Sequence, residues 1–434
     1  MSRIRELAER HWNGEGDLVH AHHPVMPVEG RVAEEIFDGV LYVKSVASIS
    51  AIDTGDGLVL LDTGGPFDAQ HVFDVVRAWR PGDGRRGRLA AAVFSHHHLD
   101  HVFGTSLFEA EASAEGWEAP VVYGHEAMPA DFRRYERTRG WNTAINQRQF
   151  ALPVATWEFP DAFRDPDVTY RDRLTFRRGG ITFELHHGLG ETDDATWTWL
   201  PERAILHAGD LFIWAIPNAG NPQKVQRYAS DWAASLRRMA GLGAEVMLAG
   251  HGLPVFGADR IRQALVDTAE VLESIEAQTL ALMNGGCTLD RVLHEVELPA
   301  HLLDRPYLRP VYDHPQFLVR NVWRRYGGWH DGQPDNLLPA PRHQQAREWV
   351  DLSGGVGRVL ARARALAEEG DLRMACHLVE HAVQAEPHSV EVHSLRAEIY
   401  NARADRHESS MARNILRHAA LSSEQGRLDL AGGT

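Results

Sequence analysis

The chain has 434 residues, 44% hydrophobic and 24% charged, enough for two or three ordinary domains with buried cores. Its 60 acidic against 45 basic residues leave a formal net charge of −15, which repels a phosphate backbone and argues against a nucleic-acid partner. No run approaches the roughly 20 apolar residues of a membrane-spanning helix, and the N-terminal MSRIRELAERHWNGEG lacks the apolar core of a signal peptide. No membrane insertion and a cytoplasmic address are therefore expected. The two cysteines, Cys287 and Cys376, lack CxxC spacing, so they predict two buried helical thiols and neither a disulfide framework nor a thiolate metal site. Histidine is the unusual residue, at 25.

The N-terminal segment reads as a short charged helix. From Gly39 to Gly64 the pattern is strand, turn, strand, with Asp53-Thr54-Gly55-Asp56-Gly57 as the turn. Asp68 to Arg80 reads as an amphipathic helix with Val72, Val75, Val76 and Trp79 on one face. Leu89 to Phe94 is a short apolar run, hence a buried strand, and Val121 to Tyr123 is another. Further strands are predicted at Leu174–Phe176, Ile181–Leu185, Thr196–Leu200, Ala204–Leu206 and Glu245–Leu248, with a helix over Ser230–Met239. This mixture of hairpins and crossovers fits two mixed sheets packed face to face with helices outside. After Phe256 the strand signals vanish. Asp259 to Met283 is one long helical pattern, QPDNLLPAP (333–341) reads as a linker or wrapping arm, and Val356–Glu369, Leu372–Ala385 and Val390–Ala404 follow as helices with Ala375, Ala382 and Ala397 on packing faces. So short a helical array needs a further surface to stack on.

The run Ser95-His96-His97-His98-Leu99-Asp100-His101 places four ligand-type side chains, His96, His98, Asp100 and His101, on a loop leaving a buried strand. Imidazole and carboxylate suit zinc and similar divalent ions. Three further groups stand at predicted strand ends: His187 with Glu191 in a glycine-rich loop, Asp210 after His207-Ala208-Gly209, and His251 in Gly250-His251-Gly252. Asp210 is able to bridge two cations through its two oxygens.

The series Asp62-Thr63-Gly64, His-x-His-x-Asp-His, the glycine loop, Asp210 and His251 resembles the metallo-β-lactamase superfamily over about Gly39 to Gly257. The resemblance implies an α/β fold, the αβ/βα sandwich, with Asp62 as a structural aspartate beside the metals. AEVMLAGHGLPVFG, VRNVWRRYGGWHDGQPDNLLP and ARALAEEGDLRMACHLVEHAVQAEP narrow the likeness to the alkylsulfatase branch, whose all-α, partly tetratricopeptide-like domain mediates dimerisation. The domains implied are residues 1–257, catalytic, with an N-terminal extension over 1–38; 258–425, helical and dimerising; and a tail over 426–434. The branch's third, sterol-carrier-like domain is not expected before the chain ends at Thr434.

By this resemblance two zinc ions would be held by His96, His98, Asp100, His101, Glu191, Asp210 and His251. His187 is the alternative to Glu191, since it matches the ordinary superfamily ligand while Glu191 matches that of the branch. Asp100 and Asp210 would be the catalytic carboxylates. Sulfate would be held by Asn218, with Asn221 in the place of a threonine and Gln223 in the place of an arginine. Glutamine cannot give the charged two-pronged grip of arginine, and Lys224 offers a point charge instead. Trp214 is a candidate for an apolar wall. The reaction implied is hydrolysis of an alkyl sulfate, an anionic ester with an apolar chain, to alcohol and sulfate by a metal-activated water in a homodimer. The rival readings are a hydrolase of lactones, thioesters or β-lactams, a mononuclear iron thiol dioxygenase, and a helical-repeat interaction protein.

Overall fold

The computed structural model describes residues 2–26, 31–82 and 84–431. Two sheets form its centre. The first holds, in spatial and chain order, β1 (Val32–Phe37), β2 (Val40–Lys44), β3 (Ser48–Asp53), β4 (Leu58–Leu61), β5 (Leu89–Val93), β6 (Val121–His125) and β7 (Val168–Tyr170). Its first four strands are an antiparallel meander and the rest run parallel. The second holds β8 (Arg173–Arg178), β9 (Ile181–His187), β10 (Thr196–Leu200), β11 (Ile205–Ile213), β12 (Val246–His251) and β13 (Val255–Phe256). Here β11 and β12 run parallel and every other pairing is antiparallel.

The helices are α1 (Arg3–Trp12), α2 (Ala69–Trp79), α3 (Leu99–Val102), α4 (Thr105–Glu115), α5 (Met128–Arg137), α6 (Arg139–Phe150), α7 (Ala229–Ala240), α8 (Ala258–Asn284), α9 (Leu289–Glu295), α10 (Pro315–Gly327), α11 (Arg342–Leu352), α12 (Val356–Glu368), α13 (Leu372–Ala385), α14 (Val390–Ala404) and α15 (Ser410–Glu424). None is long and apolar enough to cross a membrane.

The chain divides into two compact units, residues 1–137 with 161–328, and residues 138–160 with 329–434. The first contains both sheets, and strand alternation builds its layers. Tyr42, Ile52, Val59, Leu61 and Val93 share one core with Phe183, Leu185, Trp197 and Leu206 of the second sheet. Their neighbours Leu41, Val43, Ile49, Leu58 and Leu60 face the other way, onto Val72 and Val76 of α2 and Phe108 of α4. This is the αβ/βα sandwich. Helices α8, α9 and α10 also contribute to the inter-sheet core, through residues such as Leu265, Val292 and Leu318, so the compact unit runs on past residue 257. Trp214 is 1% exposed and donates to Leu253 O at 2.6 Å. It is core, which corrects the expectation of an apolar wall.

The second unit is helical. Val359, Leu360, Ala363 and Leu366 of α12, Ala375, Val379, Ala382 and Val383 of α13, and Val392, Leu395 and Ile399 of α14 interlock at three- and four-residue spacing. The breaks between them are capped: Asp371 accepts from Met374 N, Ser389 from Val392 N and Ser409 from Ala412 N. Cys376 is buried in this core, whereas Cys287 is only half-buried and lies between α8 and α9, which corrects half of the expected thiol pair. Of the tail over 426–434, residues 432–434 lie outside the described residues.

Candidate metal centre

The site is built where β4, β5, β9, β11 and β12 deliver their loops. β5 runs straight into the histidines, and Ser95 N donates to Asp62 Oδ1 at 2.7 Å. The chain bends through Ser95 to His97, and His98 precedes α3 as its N-cap with an extended backbone, φ −65° and ψ 148°. One helical turn then places Asp100 and His101 on a second side of the loop. That turn is fastened from behind, because Thr63 N and Thr63 Oγ1 both donate to His101 O, at 2.8 and 3.0 Å.

Two donor groups result, His96 with His98 and Asp210, and Asp100 with His101 and His251. Asp210 stands between them. Its Oδ1 is 3.4 Å from His101 Nε2, and its Oδ2 is 3.2 Å from His251 Nε2 and 3.8 Å from His96 Nε2. Asp100 Oδ2 lies 3.6 Å from His101 Nε2 and 3.4 Å from His251 Nε2. The approach of Asp210 requires Gly250, since a Cβ there would fall on Asp210 Oδ1 and on the backbone of Gly209.

The rear nitrogens are anchored so that the front ones face the site. His96 Nδ1 meets Ser95 Oγ at 3.0 Å, His101 Nδ1 meets Asp62 Oδ2 at 2.8 Å, and His251 Nδ1 donates to Val46 O at 2.6 Å. Burial pushes His96 down to about 4 and His98 well below the histidine range, with the neighbouring imidazoles adding to both shifts. At His101 and His251 burial works in the same direction, but Asp210 and Asp100 overcome it, raising His101 well above its ordinary value and His251 to about 9. Asp210 is pulled well below the carboxylate range, against its burial, by His251, His101 and His96. The imidazole Nε2 of His101, Asp210 Oδ1 and Glu191 Oε2 are all buried without a hydrogen-bond partner. His101 Nε2 and Asp210 Oδ1 face each other at 3.4 Å, and buried nitrogen and oxygen atoms left without partners among histidines and carboxylates are a donor set that a divalent cation completes, so the residues fit such ions.

The loop between β9 and β10 brings Glu191 beside the first group, with Oε1 3.7 Å from His98 Nδ1. His187 is elsewhere: its Nε2 donates to Asp193 O at 2.8 Å and its ring stacks on His125 at 3.9 Å. Among the residues expected at a substrate anion, Asn218 donates from Nδ2 to Glu191 Oε1 at 2.6 Å. Asn221 turns its Oδ1 onto Gln223 N at 3.1 Å, a local turn. Gln223 is half-buried in that turn. Lys224 is half-buried too; burial, with Arg227 and Arg134 nearby, lowers it to about 8, against the opposing pull of Glu191 and Asp100.

Three further features were not read from the sequence. Arg227, 2% exposed, donates to Glu191 Oε1 at 2.6 Å and to Asn218 O. His97, the intervening residue of the motif, turns away from the ligands onto Asp194 Oδ1 at 2.9 Å. Arg134 Nη2 donates to His97 Nε2 at 3.1 Å and pairs with Asp131 Oδ1 at 3.0 Å. A third histidine between two ligand histidines was the available signal for the second feature; nothing local marks Arg227.

Residues 44–251 match the family model described as the metallo-beta-lactamase superfamily, and residues 288–426 match that described as alkyl sulfatase dimerisation. The segment 44–251 belongs to the metallo-β-lactamase superfamily. Together with the dimerisation segment over 288–426, it makes the chain similar to the alkylsulfatase-like branch of that superfamily. A linear primary-alkylsulfatase of Pseudomonas sp. is 27% identical over 352 residues, covering 77% of this chain and 66% of that protein. An (R)-specific secondary-alkylsulfatase of Pseudomonas sp. is 28% identical over 410 residues, covering 88% of this chain and 60% of that protein. The solved structure of a stereoselective inverting sec-alkylsulfatase from Pseudomonas sp. superposes with a TM-score of 0.82 at 26% identity, covering 91% of this chain and 66% of that one. The chain thus spans less than two-thirds of the length of these relatives, 66% and 60% for the two curated ones.

Proposed function

We propose that this chain is a two-metal hydrolase of alkyl sulfate esters, acting as a homodimer. The observation that carries the reading is Asp210, whose Oδ1 faces His101 and whose Oδ2 stands between His251 of one donor group and His96 of the other. His96, His98, Glu191 and Asp210 would hold one ion, and Asp100, His101, His251 and Asp210 the other, with zinc the ion best suited to imidazole and carboxylate. Bound there, two divalent cations supply Lewis acidity, which acidifies water and draws off negative charge. The chain's own part is to aim and to bind. Asp100, at 28% side-chain exposure, and Asp210, at 8%, offer carboxylates to water entering between the two groups and orient it. Lys224 and Arg134 put positive charge beside the site, suited to an anionic ester head. The net reaction is alkyl sulfate plus water to alcohol plus hydrogen sulfate.

The dimer reading rests on the segment 288–426 and on exposed apolar side chains in the helical unit, such as Leu338 at 92% and Leu352 at 80%. Gln223 in the place of an arginine favours a second reading, a hydrolase of uncharged lactones or thioesters on the same metals.

The test is a hydrolysis screen on zinc-loaded protein together with metal analysis. Two zinc ions per chain, with chelator-sensitive release of sulfate from a medium-chain alkyl sulfate, are expected. Cleavage of lactones or thioesters without sulfate release overturns the substrate. One iron per chain with oxygen uptake on a thiol overturns the chemistry.

A further inference from the structure

The glycine loop that carries Glu191 belongs to neither sheet, and a glutamate side chain has three rotatable bonds. Something outside the loop must therefore hold the carboxylate. Glu191 is 4% exposed, and its two oxygens are unlike. Oε1 accepts from Arg227 Nη1 and from Asn218 Nδ2, each at 2.6 Å, while Oε2 is buried and has no partner. A carboxylate oxygen has two in-plane lone pairs, so two donors leave none on Oε1 for a cation. Arg227 Nη1 also donates to Asn218 O, which closes a three-membered network.

The clamp is itself held from a distant part of the sequence. Asn321 in α10 grips the backbone of Arg227: its Nδ2 donates to Arg227 O at 2.9 Å, and Arg227 N donates to its Oδ1 at 3.4 Å. Asp313 Oδ2 accepts from Gly220 N at 2.7 Å and Asn221 N at 3.3 Å, and Ile216 N donates to Arg309 O at 3.0 Å. Gly220 lies so close to the backbone of Phe317 and Leu318 that no Cβ would fit. The stretch from Arg309 to Asn321 lies inside the segment matched as alkyl sulfatase dimerisation, yet it packs in the same compact unit as the metal ligands.

We propose that Arg227, with Asn218, is a positioning residue that fixes Glu191 as a single-oxygen metal ligand through Oε2, and that Asn321 holds this clamp in place. The inference rests on the reading of Glu191 as a ligand of the first metal. It gives the α10 segment a task in metal binding that is separate from dimerisation. Arg227 is also thereby committed to Glu191 and leaves the substrate's anion to other cations.

The test is zinc affinity of each site by chelator competition, with stoichiometry by metal analysis and fold by circular dichroism. Arg227→Met is expected to weaken one of the two ions about 10- to 100-fold and leave the other unchanged. Arg227→Lys restores part of the loss, since an ammonium can meet Oε1 without spanning to Asn218 O. Asn321→Ala, remote from both ions, weakens the same ion by a smaller factor with oligomeric state unchanged. Two ions bound within twofold of the parent in Arg227→Met overturn the inference. If that variant fails to fold, parent-like affinities in both Arg227→Lys and Asn218→Ala overturn it equally. Glu191→Gln separates the layers: if it too keeps both ions at full affinity, the reading of Glu191 as a ligand falls first, whereas loss of one ion in Glu191→Gln alone rejects only the clamp.

Discussion

Asp62 Oδ2 meets His101 Nδ1 at 2.8 Å while both side chains are fully buried. Asp62 also accepts from Ser95 N at 2.7 Å and Ser95 Oγ at 2.8 Å, and it adopts φ +59° to do so, a left-handed backbone conformation uncommon outside glycine. The aspartate fixes His101 with its rear nitrogen protonated, so that Nε2 faces Asp100 and Asp210. Asp62→Ala should therefore lower metal affinity about 10- to 100-fold and destabilise the fold by about 3–5 kcal/mol, as expected when one partner of a buried ionic pair is removed. Asp62→Asn keeps the shape and should recover most of the stability and less of the affinity. Metal titration and thermal unfolding check both; an Asp62→Ala protein that binds two ions normally would remove Asp62 from this role.

His187 and Glu191 compete for one place in the sequence reading, and their surroundings separate them. His187 is held by Asp193 O and by the face of His125, whereas Glu191 stands beside His98. Replacing His187 with alanine is expected to leave two ions per chain and to change metal affinity less than threefold. Loss of an ion in that variant would return His187 to the ligand set.

Much of this arrangement was legible in the sequence for physical reasons. Apolar runs such as Leu89–Val93 and residues 40–43 report burial on two faces of a sheet, and a histidine run at a strand end reports a site. Strand β1 was not legible, because Glu34 and Glu35 interrupt the apolar pattern of an edge strand with one open face. The Gly39–Gly64 segment folds as three strands where two were expected, since the turn at Ser45-Val46-Ala47 carries no glycine, proline or asparagine. Arg227 was illegible for a different reason. Its role depends on Glu191, 36 residues earlier, and on Asn321, 94 residues later, and no local pattern encodes contacts at those separations.

The helical unit offers a direct test of assembly. Trp349, at 59%, and Leu352, at 80%, are exposed on α11. Burying a large apolar side chain is worth roughly 1.5–3 kcal/mol. Replacing both with glutamate should thus weaken a dimer formed through this helix by about two to four orders of magnitude. Sedimentation should then report a monomer at micromolar concentration with its metals retained, and an unchanged mass would place the interface elsewhere.

Lys224 makes recognition of an anion depend on pH. Burial, with the like charges of Arg227 and Arg134, lowers it to about 8 from the ordinary lysine value. The charged form therefore dominates below pH 8 and is lost as pH rises through it; cations bound alongside would move that point lower still. If the ammonium holds the ester's anionic head, KM for an alkyl sulfate should be flat at low pH and climb about tenfold per unit above the break, with kcat less affected. Lys224→Arg keeps its charge throughout and should abolish the rise. Lys224→Met should show the high KM at every pH and a weaker dependence on salt, because the screened attraction is gone. A KM profile in Lys224→Met that keeps the parent's break would assign the titration to another group and leave Lys224 as a bystander at the rim.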